Sequence, residues 1–348
     1  MHEIKLDFST NKLQQRTSRV IFSDMLDALN QLKLEIKPIF FIDQSIASMC
    51  SNLKAHGQIV PIPGGESIKT LTNISMLYQK LIAHDYGRDA LVVGVGGGAV
   101  LDAVGFVAAT FQRGVRLGFI PTTLLAQVDA SVGGKNGVNL GVAKNQIGTI
   151  WQPEFVICDQ KFLNSLSNIE YVSGCAEMIK AGLIADQDYF NQLESSAAKV
   201  LARDYETLAL MISRAVAIKA KVVQADETEE SSRMLLNFGH TLGHAIEKVD
   251  CIPHGHAISI GMMAAAKLAK SKGCLSESDL ERVKNILDIY RLPSDLKVLK
   301  KEYAELMLAD KKRRGDKINL ILLDEIGKAR VEKFPIAIAE ELIQCALA

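Results

Sequence analysis

The apolar positions in the first half of the chain follow two alternating spacings. Residues 38–42, 59–62 and 90–95 are short apolar runs, and residues 73–84 between the last two runs carry apolar side chains at helical spacing. Short unbroken apolar runs are typical of strands that are covered on both faces. Their alternation with a helix indicates a parallel sheet packed between helices. The first half therefore predicts an α/β domain.

The pattern changes after Trp151-Gln152-Pro153, where amphipathic helices become dominant from about Ser165. Ser276 and Ser294 are typical of residues that begin helices. We expect a boundary near residue 160, with a nucleotide-binding α/β domain over 1–160 and a mainly α-helical domain over 161–348. The predicted helices cover residues 176–185, 208–223, 233–249, 257–272 and 278–290, and a short strand is predicted at 317–323.

The charge of the chain is balanced, since 40 Lys and Arg residues face 40 Asp and Glu residues among 348. No global field would attract nucleic acid or an anionic membrane. The most apolar stretch, residues 90–111, contains five glycines and Asp102 and is read as strand, turn and buried helix. The start of the chain lacks an apolar signal core. We expect no nucleic-acid partner, no membrane span and a cytoplasmic location.

The six cysteines are scattered and form no CxxC pair, as expected of reduced thiols in a cytosolic protein. Cys175 lies close in sequence to other candidate site residues. It is either a catalytic thiol or a small buried packing residue, and the second interpretation is favoured.

A glycine-rich turn, Gly94-Val95-Gly96-Gly97-Gly98, follows the third predicted strand and leads into a helix expected to begin near Val100. Such turns let the backbone approach a pyrophosphate at a helix N-terminus. The spacing is not GxGxxG, so tight packing is the alternative explanation. A second turn, from Gly64 to Lys69, and Asp43 at the end of the 38–42 strand favour nucleotide binding and a Rossmann-like domain. Asp102 is expected in the first helical turn.

Four of the seven histidines, His240, His244, His254 and His256, are concentrated within one short segment. His240 and His244 would share a helix face, and nitrogen ligands favour zinc or a similar metal. Glu177 is the best carboxylate candidate for a third ligand. A solvated Glu177–Lys180 pair at i and i+3 is the alternative.

Isolated cations occur in apolar, glycine-rich surroundings at Lys135 and Lys144, and Lys219 and Arg233 flank an acidic stretch at 226–230. Arginine grips carboxylates at two points, and lysine meets phosphate as a point charge. These residues predict a small substrate that is anionic at more than one end.

Several runs together closely resemble the 3-dehydroquinate synthase family. They are residues 121–135, Lys144-Asn145, 176–180, 226–229 and 236–247, in the family's order and at nearly its spacing. The resemblance covers roughly residues 40–330. It implies a Rossmann-like NAD-binding domain followed by a mainly α-helical metal-binding domain, and a homodimer that binds a small anionic sugar phosphate.

The resemblance also implies the role of individual residues, with zinc or cobalt as the metal. The implied metal ligands are Glu177, His240 and His254. The implied NAD-binding residues are Asp43, Gly64, Gly65, Glu66, Lys69, Gly97, Gly98, Asp102, Thr122, Thr123, Lys135, Lys144, Phe162, Leu163, Asn164 and Ser165. The implied substrate and catalytic residues are Asp129, Lys135, Lys144, Asn145, Lys180, Lys219, Arg233, Asn237 and His244, with Arg113 reaching the neighbouring subunit and Lys312 as a late phosphate contact.

The implied reaction converts 3-deoxy-D-arabino-heptulosonate 7-phosphate to 3-dehydroquinate and phosphate, as a step of the shikimate pathway. Transient oxidation by NAD makes a carbon acid, phosphate is eliminated, the hydride returns, and an aldol addition closes the ring. NAD is therefore catalytic and is not consumed.

The chain departs from the family's usual residues at several positions. Asn136 replaces Thr, Ala143 replaces Gly, Ser167 and Ile169 replace Pro and Arg, Ser231 replaces Gly, and His256 stands where Glu is usual. The last change leaves His254 and His256 as competing ligands, with His254 favoured. Three alternatives therefore stay open: a related cyclase of the 2-deoxy-scyllo-inosose or sedoheptulose-phosphate type, a metal-dependent polyol dehydrogenase, and a non-catalytic NAD-binding protein.

Overall fold

The computed structural model of the protein describes residues 2–8, 16–141, 143–311 and 317–347. The chain divides into two compact units, Met1–Leu166 and Ser167–Ala348. The sequence places this boundary at 160, six residues earlier.

The first unit is built on a mixed sheet in which seven strands are described. In chain order the strands of this unit are β1 (His2–Phe8), β2 (Arg16–Phe22), β3 (Ile39–Asp43), β4 (Gln58–Ile62), β5 (Leu91–Gly96), β6 (Arg116–Pro121), β7 (Lys135–Leu140), β8 (Ala143–Ile150) and β9 (Phe155–Cys158). The sheet order is β1-β2-β9-β6-β5-β3-β4. Only the β1–β2 pair is antiparallel, and every other pair is parallel.

The parallel strands explain why the sequence shows unbroken apolar runs. Every residue of β5 is buried, and in β3 only Asp43 is partly exposed. Helices α1 (Met25–Leu32), α2 (Leu71–Ala83) and α3 (Gly98–Thr110) belong to the same unit. Because neighbouring parallel strands end at one edge, Asp43, the turn after β5 and Thr122 after β6 meet at the carboxyl edge of the sheet.

Strands β7 and β8 form a separate antiparallel hairpin next to α3. Asn136 of β7 donates from Nδ2 to the carbonyls of Gly134 at 2.7 Å and Trp151 at 3.0 Å. Its Oδ1 lies against Gly105 of α3, where an added Cβ would be only 1.8 Å away. The departure from Thr at position 136 is therefore matched by a helix glycine that makes room for the amide.

The second unit is mainly helical. Its elements are α4 (Asn168–Ala185), α5 (Gln187–Leu201), α6 (Tyr205–Ala225), α7 (His240–Asp250), α8 (His254–Ser271), α9 (Glu277–Ile289), α10 (Lys301–Lys311), β10 (Lys317–Glu325), β11 (Lys328–Pro335) and α11 (Ile338–Leu347). Strands β10 and β11 form an antiparallel pair. Helices α4 and α8 are buried along most of their length, so their apolar and small residues form the core of this unit.

The predicted fold class, an α/β unit followed by a mainly helical one, is confirmed. The three predicted strands, the predicted strand at 317–323 and the helix start at Ser276 are also found, with ends that shift by a few residues. The pattern missed β1, β2, β6, β7, β8, β9 and β11.

Three local predictions are wrong. The expected helix over 233–249 is broken, because Ser232–Asn237 is a 3-10 turn and α7 begins only at His240. Gly239 adopts φ +79°, a left-handed conformation that favours glycine. No helix begins at Ser294, whose hydroxyl donates to Asp295 instead. Helix α3 starts at Gly98 rather than near Val100, which places Asp102 beyond the first turn.

We predict that Gly105→Ala destabilises the protein. Alanine in a helix is intrinsically favoured by about 0.5–1 kcal/mol, but overpacking costs about 1–3 kcal/mol and Asn136 Oδ1 occupies the Cβ position. Urea unfolding should show a net loss of about 1 kcal/mol. Gly137→Ala is the matched control, because its new Cβ would meet nothing closer than 3.4 Å. Equal losses in the two variants would contradict this account of the contact.

Candidate functional site

The glycine-rich turn of the first unit lies at the carboxyl edge of the sheet and leads directly into α3. Thr122 N, after the neighbouring strand β6, donates to Gly96 O at 3.0 Å, which joins the ends of β5 and β6. Gly98 packs so close to Ala130 that a Cβ would lie 3.1 Å from the alanine methyl. The turn thus exposes the free N–H groups at the start of a buried helix, an arrangement that suits a phosphate.

Lys69 is the buried cation of this region, with a relative exposure of 3%. Its ammonium lies 2.5 Å from Asp102 Oδ2 and 2.5 Å from Asn145 Oδ1. Asn145 N donates to Asn139 Oδ1, and Asn139 Nδ2 donates to Glu66 Oε2 at 2.9 Å. One hydrogen-bonded network therefore brings the predicted NAD residues Glu66, Lys69 and Asp102 together with the predicted substrate residue Asn145.

Asp43 lies at the end of β3 beside Gly64. Its Oδ1 accepts from Ser45 N and Oγ at 2.9 and 2.7 Å. A Cβ on Gly64 would lie 2.2 Å from Asp43 Oδ2, so glycine is needed for this close approach. These two predicted NAD residues are thus in contact, and Gly65 follows with φ +68°.

The remaining predicted residues of the first unit differ in exposure. Thr123 Oγ1 accepts from Ala126 N at 3.1 Å and caps the segment that carries the half-buried Asp129. Lys135 and Lys144 are exposed on the β7–β8 hairpin, and Arg113 is exposed in the turn after α3. In the 3-10 turn after β9, Phe162 and Leu163 are buried in the core while Asn164 and Ser165 are exposed.

The predicted metal ligands of the second unit converge from three helices. Glu177 Oε1 of α4 lies 3.8 Å from His240 Nε2 of α7 and 3.5 Å from His254 Nε2 of α8. Nitrogen and oxygen ligands at about 2.0–2.2 Å from a tetrahedral zinc are about 3.4 Å from one another. The observed separations are therefore close to those that such an ion requires.

Close helix packing produces this convergence. Gly255, next to His254, lies so near Ser173 of α4 that a Cβ would be 1.9 Å from the serine carbonyl oxygen. Gly255 N also donates to Ser173 Oγ at 2.8 Å. Ser173 and Glu177 are four residues apart and share a helix face, so this contact places His254 beside the carboxylate.

The hydrogen bonds of the two histidines leave the converging nitrogens available as ligands. His240 Nδ1 lies 3.0 Å from Phe238 O, and His254 Nδ1 lies 2.8 Å from Glu247 Oε2. Since a carbonyl and a carboxylate can only accept, each Nδ1 carries the proton and donates it. Each Nε2 then points its lone pair or second proton at the cluster, as expected of metal-binding histidines.

The carboxylate of Glu177 has the surroundings of a metal ligand. The side chain is 2% exposed, and among the described residues Oε1 has no hydrogen-bond donor of good geometry. Lys180 forms an ion pair with Oε2, and Lys180 is itself buried. A solvated Glu177–Lys180 pair, the alternative from sequence, is therefore wrong. A buried carboxylate oxygen that faces two imidazoles fits a divalent cation.

The electrostatics of the cluster follow from burial and from these neighbours. Burial would raise the pKa of Glu177, but Lys180 and the two histidines hold it well below its usual range. Burial and the Lys180 charge hold the pKa of His240 well below its ordinary value. Burial would also lower the pKa of His254, but the flanking carboxylates of Glu177 and Glu247 raise it to about 9. A cation bound here would replace the proton on His254.

His256 lies outside the cluster. The described residues that could hold a metal are grouped as Glu177, His240 and His254, or as His244, Glu247 and His254, and neither group contains His256. The choice of His254 over His256 from sequence thus agrees with the geometry.

Arg233 is held by an acidic turn. Its Nη1 donates to Glu227 O at 2.6 Å, and its backbone N donates to Asp226 Oδ2 at 2.9 Å. Asp226 also accepts from Glu230 N and from Ser231 N and Oγ. Burial would raise the pKa of Asp226, but these hydrogen bonds lower it to about 2. The departure at Ser231 therefore adds a donor to this turn.

A cavity of about 1170 Å³ in the second unit connects several predicted residues. Asn237, His240 and His244 line it, and Asn237 Nδ2 donates to Glu229 Oε1 at 2.5 Å. Lys219 lies outside this lining and is buried on α6. Lys312 lies outside the described residues.

Sequence reasoning missed four polar side chains near these residues. Lys248, Lys317 and Lys333 line the same cavity, and Glu247 bonds to His254. Glu247 was visible as the residue three positions after His244, on the same helix face. Nothing in the local sequence separates the three lysines from ordinary surface lysines.

Cys175 does not serve as a reactive thiol. It is fully buried in α4, and burial raises the pKa of its thiol well above the ordinary value. A thiol that stays protonated is a poor nucleophile, so the packing interpretation is the one that the structure supports. Among the described residues, no helix is long and apolar enough to cross a membrane.

The parallel sheet with its glycine turn and the Glu177–His240–His254 cluster define a class of enzyme that uses a nucleotide and a metal. Comparison with known proteins identifies the family within this class. The model of the 3-dehydroquinate synthase N-terminal region matches residues 59–173, and that of the C-terminal region matches residues 174–313. The chain belongs to the 3-dehydroquinate synthase family, which confirms the resemblance seen in the sequence.

Individual relatives agree with this assignment. The 3-dehydroquinate synthase of Thermoanaerobacter pseudethanolicus is 40% identical over 94% of this chain and 96% of its own. The structure of 2-epi-5-epi-valiolone synthase from Streptomyces hygroscopicus subsp. jinggangensis, with NAD+ and Zn2+ bound, has a TM-score of 0.87 at 26% identity and covers 97% of this chain and 98% of its own. A 2-deoxy-scyllo-inosose synthase complexed with carbaglucose-6-phosphate, NAD+ and Co2+ also has a TM-score of 0.87 at 26% identity, with coverages of 99% and 100%.

We predict that zinc binding distinguishes His254 from His256. His254→Ala and His240→Ala should each lose stoichiometric zinc and all turnover, because each removes a nitrogen that faces Glu177. His256→Ala should retain one zinc per chain by elemental analysis. The reverse result, with zinc lost only from the His256 variant, would show that His254 is not the ligand.

Proposed function

We propose that the chain is a 3-dehydroquinate synthase that converts 3-deoxy-D-arabino-heptulosonate 7-phosphate to 3-dehydroquinate and phosphate, a step of the shikimate pathway. Membership of the family supports this proposal. The observation that carries it in the structure is the buried Glu177 carboxylate facing Nε2 of His240 and His254. A non-catalytic NAD-binding protein would have no use for such a cluster.

The cofactors of the proposed reaction are NAD and zinc, or cobalt in place of zinc. When bound, NAD would accept and return a hydride, and the metal would polarise substrate oxygens. Relatives with NAD+ and Zn2+ or Co2+ bound support this choice. We propose that residues 1–160 form the NAD-binding domain and residues 161–348 the metal- and substrate-binding domain.

We assign the NAD-binding role to the carboxyl edge of the first unit. The N–H groups after Gly97 and Gly98 would bind the pyrophosphate, and Asp43, held beside Gly64, would accept from a ribose hydroxyl. Lys69 would orient Asp102 and Asn145 through its two short hydrogen bonds. The other residues assigned to NAD are Gly65, Glu66, Thr122, Thr123, Lys135, Lys144, Phe162, Leu163, Asn164 and Ser165.

The substrate roles follow from charge and position. Arg233, positioned by Asp226 and Glu227, would hold the substrate carboxylate. Asn237 and His244, which line the cavity of the second unit, would hold phosphate together with Lys135 and Arg113. Asp129, Lys180, Lys219 and His244 would carry protons between steps, and Lys144, Asn145 and Lys312 complete the set. Holding a flexible acid at both ends supplies the orientation that successive steps require.

The test of the reaction is product identification by NMR after incubation with the heptulosonate phosphate, catalytic NAD and zinc. We expect 3-dehydroquinate and one equivalent of phosphate without net formation of NADH. Net NADH would instead indicate a dehydrogenase. Faster phosphate release from glucose 6-phosphate or sedoheptulose 7-phosphate would indicate a related cyclase.

We predict that Arg233→Ala raises KM by about 30-fold or more, as expected when a buried charged hydrogen-bond partner worth about 2 kcal/mol is lost. Arg233→Lys keeps the charge but not the two-point grip, so its effect should be smaller. Arg282→Ala is the matched control, because this arginine pairs with Glu194 and Asn191 outside the cavity lining. An unchanged KM in Arg233→Ala would move carboxylate recognition to another residue.

We further propose that the enzyme is a cytoplasmic homodimer in which Arg113 serves the neighbouring subunit. Arg113 is exposed in a tight turn, where Gln112, Arg113 and Gly114 have φ values of 50°, 67° and 116°. Such a turn directs the side chain away from α3 toward a partner. A C2 dimer would exchange this arginine reciprocally.

Subunit complementation tests this arrangement. Arg113→Ala and His240→Ala should each be inactive as homodimers. Coexpressed, they should regain about one quarter of wild-type activity, because half of the dimers are mixed and each mixed dimer has one complete site. No recovery in a mixture that contains mixed dimers, or a monomer by light scattering, would contradict the proposal.

A further inference from the structure

Glu247 is a second carboxylate at the metal cluster, beyond the ligands that family resemblance implies. It lies on α7, seven residues after His240 and three after His244, so all three share one helix face. Its Oε2 is 2.8 Å from His254 Nδ1, and the side chains of Glu247 and His254 are 20% and 26% exposed. A charge-assisted hydrogen bond of this length, partly shielded from water, is a strong one.

This bond determines which nitrogen of His254 faces Glu177. The carboxylate accepts the Nδ1 proton, which leaves Nε2, 3.5 Å from Glu177 Oε1, as the potential ligand atom. The same bond restricts rotation of the imidazole ring. It also transfers electron density to the ring, which makes Nε2 a better donor to a cation.

The two histidines of the cluster are supported differently. His240 donates to a backbone carbonyl, Phe238 O, which is neutral and cannot be removed by substitution. His254 lies at the first position of α8, and among the described residues its ring nitrogens face only the carboxylates of Glu177 and Glu247. The orientation of His254 therefore depends on one replaceable side chain.

We infer that Glu247 is a positioning residue for the metal: it holds His254 in the tautomer and orientation that direct Nε2 to the ion, and it raises the affinity for zinc. This inference rests on the proposed metal dependence. It does not require the proposed substrate, because affinity for zinc is measured without turnover.

Glu247 also belongs to the second group of residues that could hold an ion, with His244 and His254. His254 cannot give Nδ1 to an ion there while it donates the Nδ1 proton to Glu247. A positioning role therefore predicts one zinc per chain, whereas a ligand role for Glu247 predicts a second zinc.

The experiment measures zinc affinity by competition with a chelator in wild type, Glu247→Gln and Glu247→Ala. Loss of a carboxylate partner of a metal-binding histidine weakens affinity by about 10- to 100-fold, and we expect this for Glu247→Ala. Glu247→Gln keeps an acceptor oxygen without the charge, so its affinity should lie between those of the other two proteins. Glu277→Gln, which removes an exposed carboxylate paired with Lys270, is the matched control and should bind zinc as wild type does.

Two further readouts separate positioning from folding. The metal-free variants should keep the circular dichroism of metal-free wild type, and if Glu247→Ala fails to fold, the near-isosteric Glu247→Gln decides. The absorption bands of bound cobalt(II) should shift in both variants, because they report the ligand geometry. Zinc affinities within twofold of wild type in Glu247→Gln and Glu247→Ala would overturn the inference, and so would two zinc ions per wild-type chain.

Discussion

The burial of one carboxylate, Glu177, is the constraint on which the second unit depends. A charged group that is 2% exposed must be compensated by nearby positive charge or by a cation. Lys180, one helical turn later, and the imidazoles of His240 and His254 supply that compensation. The close approach of Gly255 to Ser173 and the left-handed Gly239 before α7 allow the three helices to bring these groups together.

Lys69 performs a comparable task in the first unit. It is buried with Asp102 on one side and Asn145 on the other, so it joins helix α3 to the β7–β8 hairpin. The hairpin is also joined to α3 by the fit of Asn136 against Gly105. Residues assigned to nucleotide and to substrate thus belong to one connected framework, and a change in one contact would be felt by the others.

The departures from the family's usual residues have local explanations. Asn136 fills the space over a glycine and bonds to two carbonyls, Ser231 donates to Asp226, and the hydroxyl of Ser167 accepts from Glu170 N at the start of α4. His256 is outside the metal cluster. None of these four positions removes a donor or acceptor from the residues assigned to catalysis. Ile169 is an exposed residue for which the structure offers no such explanation.

The sequence by itself determined the α/β and helical halves, the glycine turn, the family and the three ligand candidates, because apolar spacing and short motifs record local structure. It failed at the broken helix before His240 and at β1, β2 and β7 to β9. Tertiary packing there outweighs local preference, and hairpin strands with polar residues have no unbroken apolar run. Only the tertiary structure decided between His254 and His256, buried the Glu177–Lys180 pair and revealed Glu247 behind His254. These outcomes depend on distances between helices, which a one-dimensional pattern does not contain.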